Sequence, residues 1–118
     1  MLAVERDIPL ELKREEGGGV NMHAGVVSVQ LKPGKVEEAV RIYQDSVVPE
    51  LRQMRGFEGG YVLTNAETGK GYIIGLWESR EDAEGFESSG AYREQAAKFE
   101  DVLEGPPSRE VCEVNIQV

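Results

Sequence analysis

Histidine, cysteine and tryptophan each occur once in the 118 residues, as His23, Cys112 and Trp77. A single cysteine excludes an intrachain disulfide and fits a reducing cytoplasm. One histidine and one cysteine far apart in sequence give none of the ligand spacing of a zinc site, and no loop carries the ordered acidic spacing of a calcium site. Long apolar runs are also missing, since none approaches the roughly 20 residues needed to cross a bilayer. The first residues, MLAVERDIPLELKREE, are too charged for a signal peptide. Lys and Arg number 13 against 22 Asp and Glu, a net charge of −9. That balance argues against nucleic acid and against an anionic membrane surface as partners. No P-loop, nucleophile elbow or dinucleotide fingerprint is present.

What is present fits one globular domain. The hydrophobic fraction of 40% and charged fraction of 30% suit a single core. Residues 1–21 differ from the rest: they are charged and lead into Gly17-Gly18-Gly19, a flexible join. The domain is therefore expected to span 22–118. The preceding segment is either an extension ahead of a start at Met22 or an arm whose Ile8–Lys13 stretch pairs with a sheet edge. Nine acidic and three basic residues lie between Glu78 and Glu104, the pattern of a solvated helix face.

Periodicity then orders the domain. A β-branched run from His23 to Lys32 ends at Pro33-Gly34 and reads as a strand. Val36, Val40, Tyr43, Val47, Leu51 and Met54 make one apolar stripe on a helix from Lys35 to Arg55, with a kink or restart expected at Pro49. Gly56 stops that helix. Phe57–Asn65 and Gly71–Glu78 read as a hairpin around AETGK, delivering Trp77 to a strand end. Ser79 is placed to N-cap a second helix, interrupted at Ser88-Ser89-Gly90 and running to Leu103. Phe86, Tyr92, Phe99, Val102 and Leu103 are its expected inward residues. Glu110–Val118 alternates as a last strand, with Cys112 expected as a small buried hydrophobe. The order βαββαβ predicts an α+β, ferredoxin-like subunit: a four-stranded antiparallel sheet with both helices on one face. Val26 beside Val27, Val62 beside Leu63 and Ile73 beside Ile74 make both sheet faces apolar. The face without helices is most simply covered by a second copy, so a homodimer is expected.

The stretches VVPELRQMRGFEGGYVL and ETGKGYIIGLWESREDAEGF resemble the antibiotic biosynthesis monooxygenase (ABM) domain family over residues 22–118. That resemblance implies a dimeric α+β barrel. It also implies cofactor-independent oxygenation of a small aromatic or quinol-type compound, with Trp77 as the family's strand-end tryptophan. Many members carry histidine on the following helix, but Phe86, Ala91 and Ala96 stand at the aligned positions. Val27 stands where the haem-degrading branch has asparagine. Haem degradation is therefore not expected, and neither is any cofactor or metal.

The expected catalytic residues are Trp77, Tyr43 and Tyr61, with Tyr72, Phe86 and Tyr92 binding substrate. Each also has a plain packing reading. His23 reads as a surface residue, and Arg52 and Arg93 as solvated helix surface or as partners for an anionic substrate. The alternative is a non-catalytic small-ligand-binding or stress-related dimer of the same fold. The two readings part at the space between sheet and helices. A packed interior favours the alternative, whereas a cavity of about 300 Å³ lined by Trp77 and two tyrosine hydroxyls favours ligand chemistry.

Overall fold

A computed structural model describes residues 21–118. The arm expected of residues 1–21 lies outside the described residues but for its last position. Strands β1 (His23–Gln30), β2 (Phe57–Thr64), β3 (Lys70–Trp77) and β4 (Ser108–Glu113) form one sheet in the order β2-β3-β1-β4, every pair antiparallel. Helices α1 (Val36–Ile42) and α2 (Val48–Leu51) lie between β1 and β2, and α3 (Arg80–Ser88) and α4 (Ala91–Ala97) between β3 and β4. The α+β ferredoxin-like arrangement read from the sequence is therefore the one observed.

Pro49 has the effect anticipated, with a specific geometry. It lacks an N–H, and its ring would meet the carbonyl four residues back in a continuous helix. The chain answers with a π-helical turn over Tyr43–Val47, in which the Val48 N–H reaches the Tyr43 carbonyl, before α2 starts. Ser79 caps α3 as expected, its hydroxyl accepting from the Asp82 N–H at 3.1 Å. Gly56 adopts φ +80°, and a Cβ there would collide with the Asp82 carboxylate, so this junction admits no side chain.

Three elements are shorter than their patterns suggest, and the first helical segment ends at Leu51, not Arg55. The second helical segment ends at Ala97, although Val102 beyond it is fully buried. Strand β4 stops at Glu113, not Val118, because its partner β1 begins at His23, directly opposite Glu113. One further bond, Val114 N–H to the Met22 carbonyl at 3.0 Å, ends the pairing. Ile116 and Val118 are left exposed.

The core lies on one sheet face. Val29 and Leu31 pack with Ala39 and Val102, while Trp77 packs with Val47, Leu51 and Ala83. Strand alternation puts Val27, Val29, Ile73, Trp77, Phe57 and Val111 on this helix-covered face. Val26, Tyr61, Leu63, Tyr72, Ile74 and Leu76 fall on the other, where Tyr61 is 60% and Leu63 48% exposed.

Candidate functional site

The sheet and helices do not close on one another completely. A cavity of about 100 Å³ separates them. Gly25, Gly71 and Gly75 are among its lining residues, and Gly25 pairs with Gly75 on the helix-covered face. A Cβ at Gly25 would collide with the Arg109 guanidinium, which occupies that space. A Cβ at Gly75 would sit 3.3 Å from the Trp77 Nε1, so the glycine keeps the indole N–H open.

Trp77 forms the end wall and is 2% exposed. A bulge in β2 between Phe57 and Gly59 sets Phe57 opposite Trp77, their rings edge-on at 5.3 Å. Phe86 from α3 tilts against the other side at 5.1 Å, and Tyr92 from α4 follows at 5.9 Å from Phe86. Tyr43, the first residue of the π-helical turn, also lines the cavity and packs against the cluster that holds Trp77. Burial raises the pKa of Tyr43 above the ordinary tyrosine value. Burial also raises that of Tyr92, with Glu87 adding to the rise and Arg109 opposing it. Both phenols therefore remain donors across the neutral range. The Tyr92 hydroxyl is buried and has no hydrogen-bond partner among the described residues.

Gln95 and Arg109 complete the lining, and neither was singled out from sequence. Gln95 is 5% exposed; its Nε2 donates to Glu50 Oε1 at 2.7 Å, and its Oε1 has no partner among the described residues. Lys98 donates to Glu50 Oε2 at 3.2 Å and to the Ser46 carbonyl at 2.8 Å. The Gln95 bond first, and Lys98 second, hold the Glu50 carboxyl below the usual glutamate pKa. Arg109 is missed because a strand begun at Glu110 leaves it in a loop. In the sheet it pairs with Val27 on the helix-covered face.

Of the residues expected in the site, Trp77, Tyr43, Phe86 and Tyr92 meet around the cavity. Tyr61 does not line it, and alternation puts it on the other sheet face. Tyr72 is also among the lining residues, although alternation puts its side chain on the same face as Ile74 and Leu76, where it is exposed. Arg52 and Arg93 are exposed and outside the lining. His23 stands directly across the sheet from Trp77, yet its Nδ1 bonds the Asn21 carbonyl at 2.7 Å and the residue does not line the cavity. Among the described residues no group of three His, Cys, Asp or Glu side chains is placed to hold a metal ion, and no helix is long and apolar enough to cross a membrane.

The fold and cavity define a ferredoxin-like α+β domain with an aromatic pocket between its layers. The antibiotic biosynthesis monooxygenase family profile matches residues 22–104, and the chain belongs to that family. A monooxygenase from the ActVA-Orf6 gene of Streptomyces coelicolor, solved in complex with nanaomycin D, superimposes with a TM-score of 0.70 at 18% identity, over 87% of this chain and 95% of its own. A conserved protein from Methanosarcina mazei gives 0.65 at 17% identity over 80% and 93%. A protein of unknown function from Nitrosomonas europaea gives 0.63 at 19% over 86% and 96%. Likeness at these identities establishes the fold and no activity. No curated protein matches the sequence.

Proposed function

We propose that this chain is a cofactor-independent monooxygenase acting on a small aromatic, quinol-type compound held between sheet and helices. The observation that carries the reading is the conjunction of a cavity between sheet and helices, the buried Trp77 in its wall and a Tyr92 hydroxyl without a partner among the described residues. The cavity falls short of the roughly 300 Å³ of drug-sized sites. It is nearer the ~150 Å³ that accommodates benzene in an engineered protein core. A single-ring hydroquinone therefore suits it better than a fused-ring system. Trp77, Tyr43 and Tyr92 would orient the ring through its oxygens, and Phe86 would stack beside it. The deprotonated substrate supplies the electrons: a C–O bond forms to one oxygen of O₂, the O–O bond breaks, and the second oxygen leaves as water with two substrate hydrogens. Hydroquinone plus O₂ thus balances hydroxyquinone plus water.

The self-associating partner belongs to the same reading. Tyr61, Leu63 and Tyr72 expose apolar surface on the face without helices, and a second copy of that face would cover it. A cytoplasmic location is supported by Cys112, a free thiol.

A second reading is favoured by one observation. Among the described residues the lining holds no carboxylate, imidazole, thiol or amine to act as a base. A non-catalytic ligand-binding dimer would need none. Oxygen uptake with a panel of hydroquinones and anthrones separates the two. The proposal expects uptake that falls about 100-fold in Trp77→Phe, the scale for losing one aimed donor. Saturable binding with no uptake from any compound would establish the non-catalytic reading instead.

A further inference from the structure

Gln95 is a polar side chain in a buried position on α4, and it lines the cavity. A primary amide can be turned either way, but here its orientation is forced. The Glu50 carboxyl, held below its usual pKa, is ionised at neutral pH and can only accept. The 2.7 Å bond to it therefore takes the Nε2 end of Gln95. Glu50 is fixed in turn by Lys98, which donates to its other oxygen and to the Ser46 carbonyl in the π-helical turn. That leaves the Gln95 Oε1, buried and without a partner among the described residues.

Among the described side chains of the lining, this oxygen is the polar atom that can only accept. Trp77 and Arg109 can only donate, and the tyrosine and threonine hydroxyls can do either. Tyr92 stands three residues before Gln95 on α4, on the same helix face, and its hydroxyl is the other buried polar atom without a partner among the described residues. One ligand group serves both: a neutral hydroxyl, whose oxygen accepts from Tyr92 and whose hydrogen goes to Gln95 Oε1. A carbonyl, an ether or an oxyanion serves Tyr92 but sets a second acceptor against Gln95, which then stays buried without its bond. Water that reaches Gln95 in the free protein is displaced by such a ligand without replacement of its bond. We infer that Gln95 is a specificity-determining residue that favours a ligand hydroxyl retaining its hydrogen, with Glu50 as the positioning residue that aims the amide. This rests on the binding site proposed above and adds a discrimination to it. The hydroquinone oxygen at Gln95 stays protonated, and a quinone carbonyl at the same point binds more weakly, so the site holds the reduced compound in preference to the oxidised one.

The probes are phenol, benzaldehyde and fluorobenzene, single rings of similar size, each titrated into the full chain at neutral pH by calorimetry. Benzaldehyde accepts but has no hydrogen to donate, and it is about as hydrophobic as phenol. Fluorobenzene is more apolar than phenol, so burial alone would favour it. The wild type is expected to bind phenol about tenfold more tightly than either, the scale of one buried acceptor left unpaired. Glu50→Gln keeps the side-chain size but lets the Gln95 amide turn, so phenol should still bind while its advantage over benzaldehyde is lost. Equal weakening of all three probes in that variant would make Glu50 a structural tie and overturn its positioning role. Gln95→Met should bring fluorobenzene ahead of phenol. The wild-type titrations decide the matter even if the variants fold poorly. Benzaldehyde binding as tightly as phenol overturns the discrimination at Gln95 and leaves the binding site standing. No binding of any of the three overturns both.

Discussion

Gly25 and Gly75 face each other across β1 and β3 on the helix-covered side of the sheet, the first making room for the Arg109 guanidinium and the second leaving the cavity open beside the Trp77 indole. Substituting Gly75 tests this with little disturbance elsewhere. A methyl at that position meets Trp77 Nε1 at 3.3 Å and Phe57 Cε1 at 3.9 Å, tight but tolerable contacts. Gly75→Ala is expected to fold and to bind hydroquinones about tenfold more weakly, the usual effect of one methyl in a pocket. Calorimetric titration beside a thermal melt reads both quantities.

The tether between α2 and α4 predicts a pH dependence. Glu50 is held below its usual pKa by Gln95 and then Lys98. A depressed carboxyl contributes stability that is present above the ordinary glutamate value and is lost as pH falls through the folded value. The melting temperature should therefore decline on acidification through that window. Glu50→Gln should make the acid limb shallower, because the variant has no carboxylate to protonate.

Alkaline titration has the opposite sign. Burial raises Tyr43 and Tyr92, so the unfolded chain releases their protons before the folded protein does. Stability is unaffected below about pH 10 and falls as pH rises past it. The late part of the tyrosinate absorbance change is expected to shrink in Tyr43→Phe and in Tyr92→Phe.

The exposed sheet face predicts assembly. Sedimentation equilibrium is expected to give twice the 13.0 kDa chain mass, and Tyr61→Glu or Leu63→Glu, which place a charge on that face, should shift the protein toward single chains. A wild-type mass of one chain at micromolar concentration would remove the partner from the account.

How much of this could be read from sequence depended on whether a signal was local. Ser79 as a cap and the hairpin to Trp77 are encoded within a few residues, and each was legible, whereas the first helical segment ends at Leu51, ahead of the stop expected at Gly56. Pro49 marked a restart, although the π-helical turn before it depends on how the whole segment packs. The site was harder because it is assembled by register. Tyr61 is an aromatic on a strand, but which face it takes follows from its pairing with Ile74. Gly25 and Gly75 lie on strands far apart in sequence, and only their pairing brings them together. Arg109 sat one residue outside the apolar alternation that marked β4, and a lone arginine there carried no signal of burial.

Trp77 is the only tryptophan in the chain and forms the cavity wall, so its fluorescence reports the site without a label. An anaerobic titration of the full chain with a single-ring hydroquinone tests the central claim most directly. The account predicts a saturable change in emission, shifted about tenfold toward higher ligand concentration in Gly75→Ala. No saturable change in the wild type, or an identical curve in the variant, would contradict it.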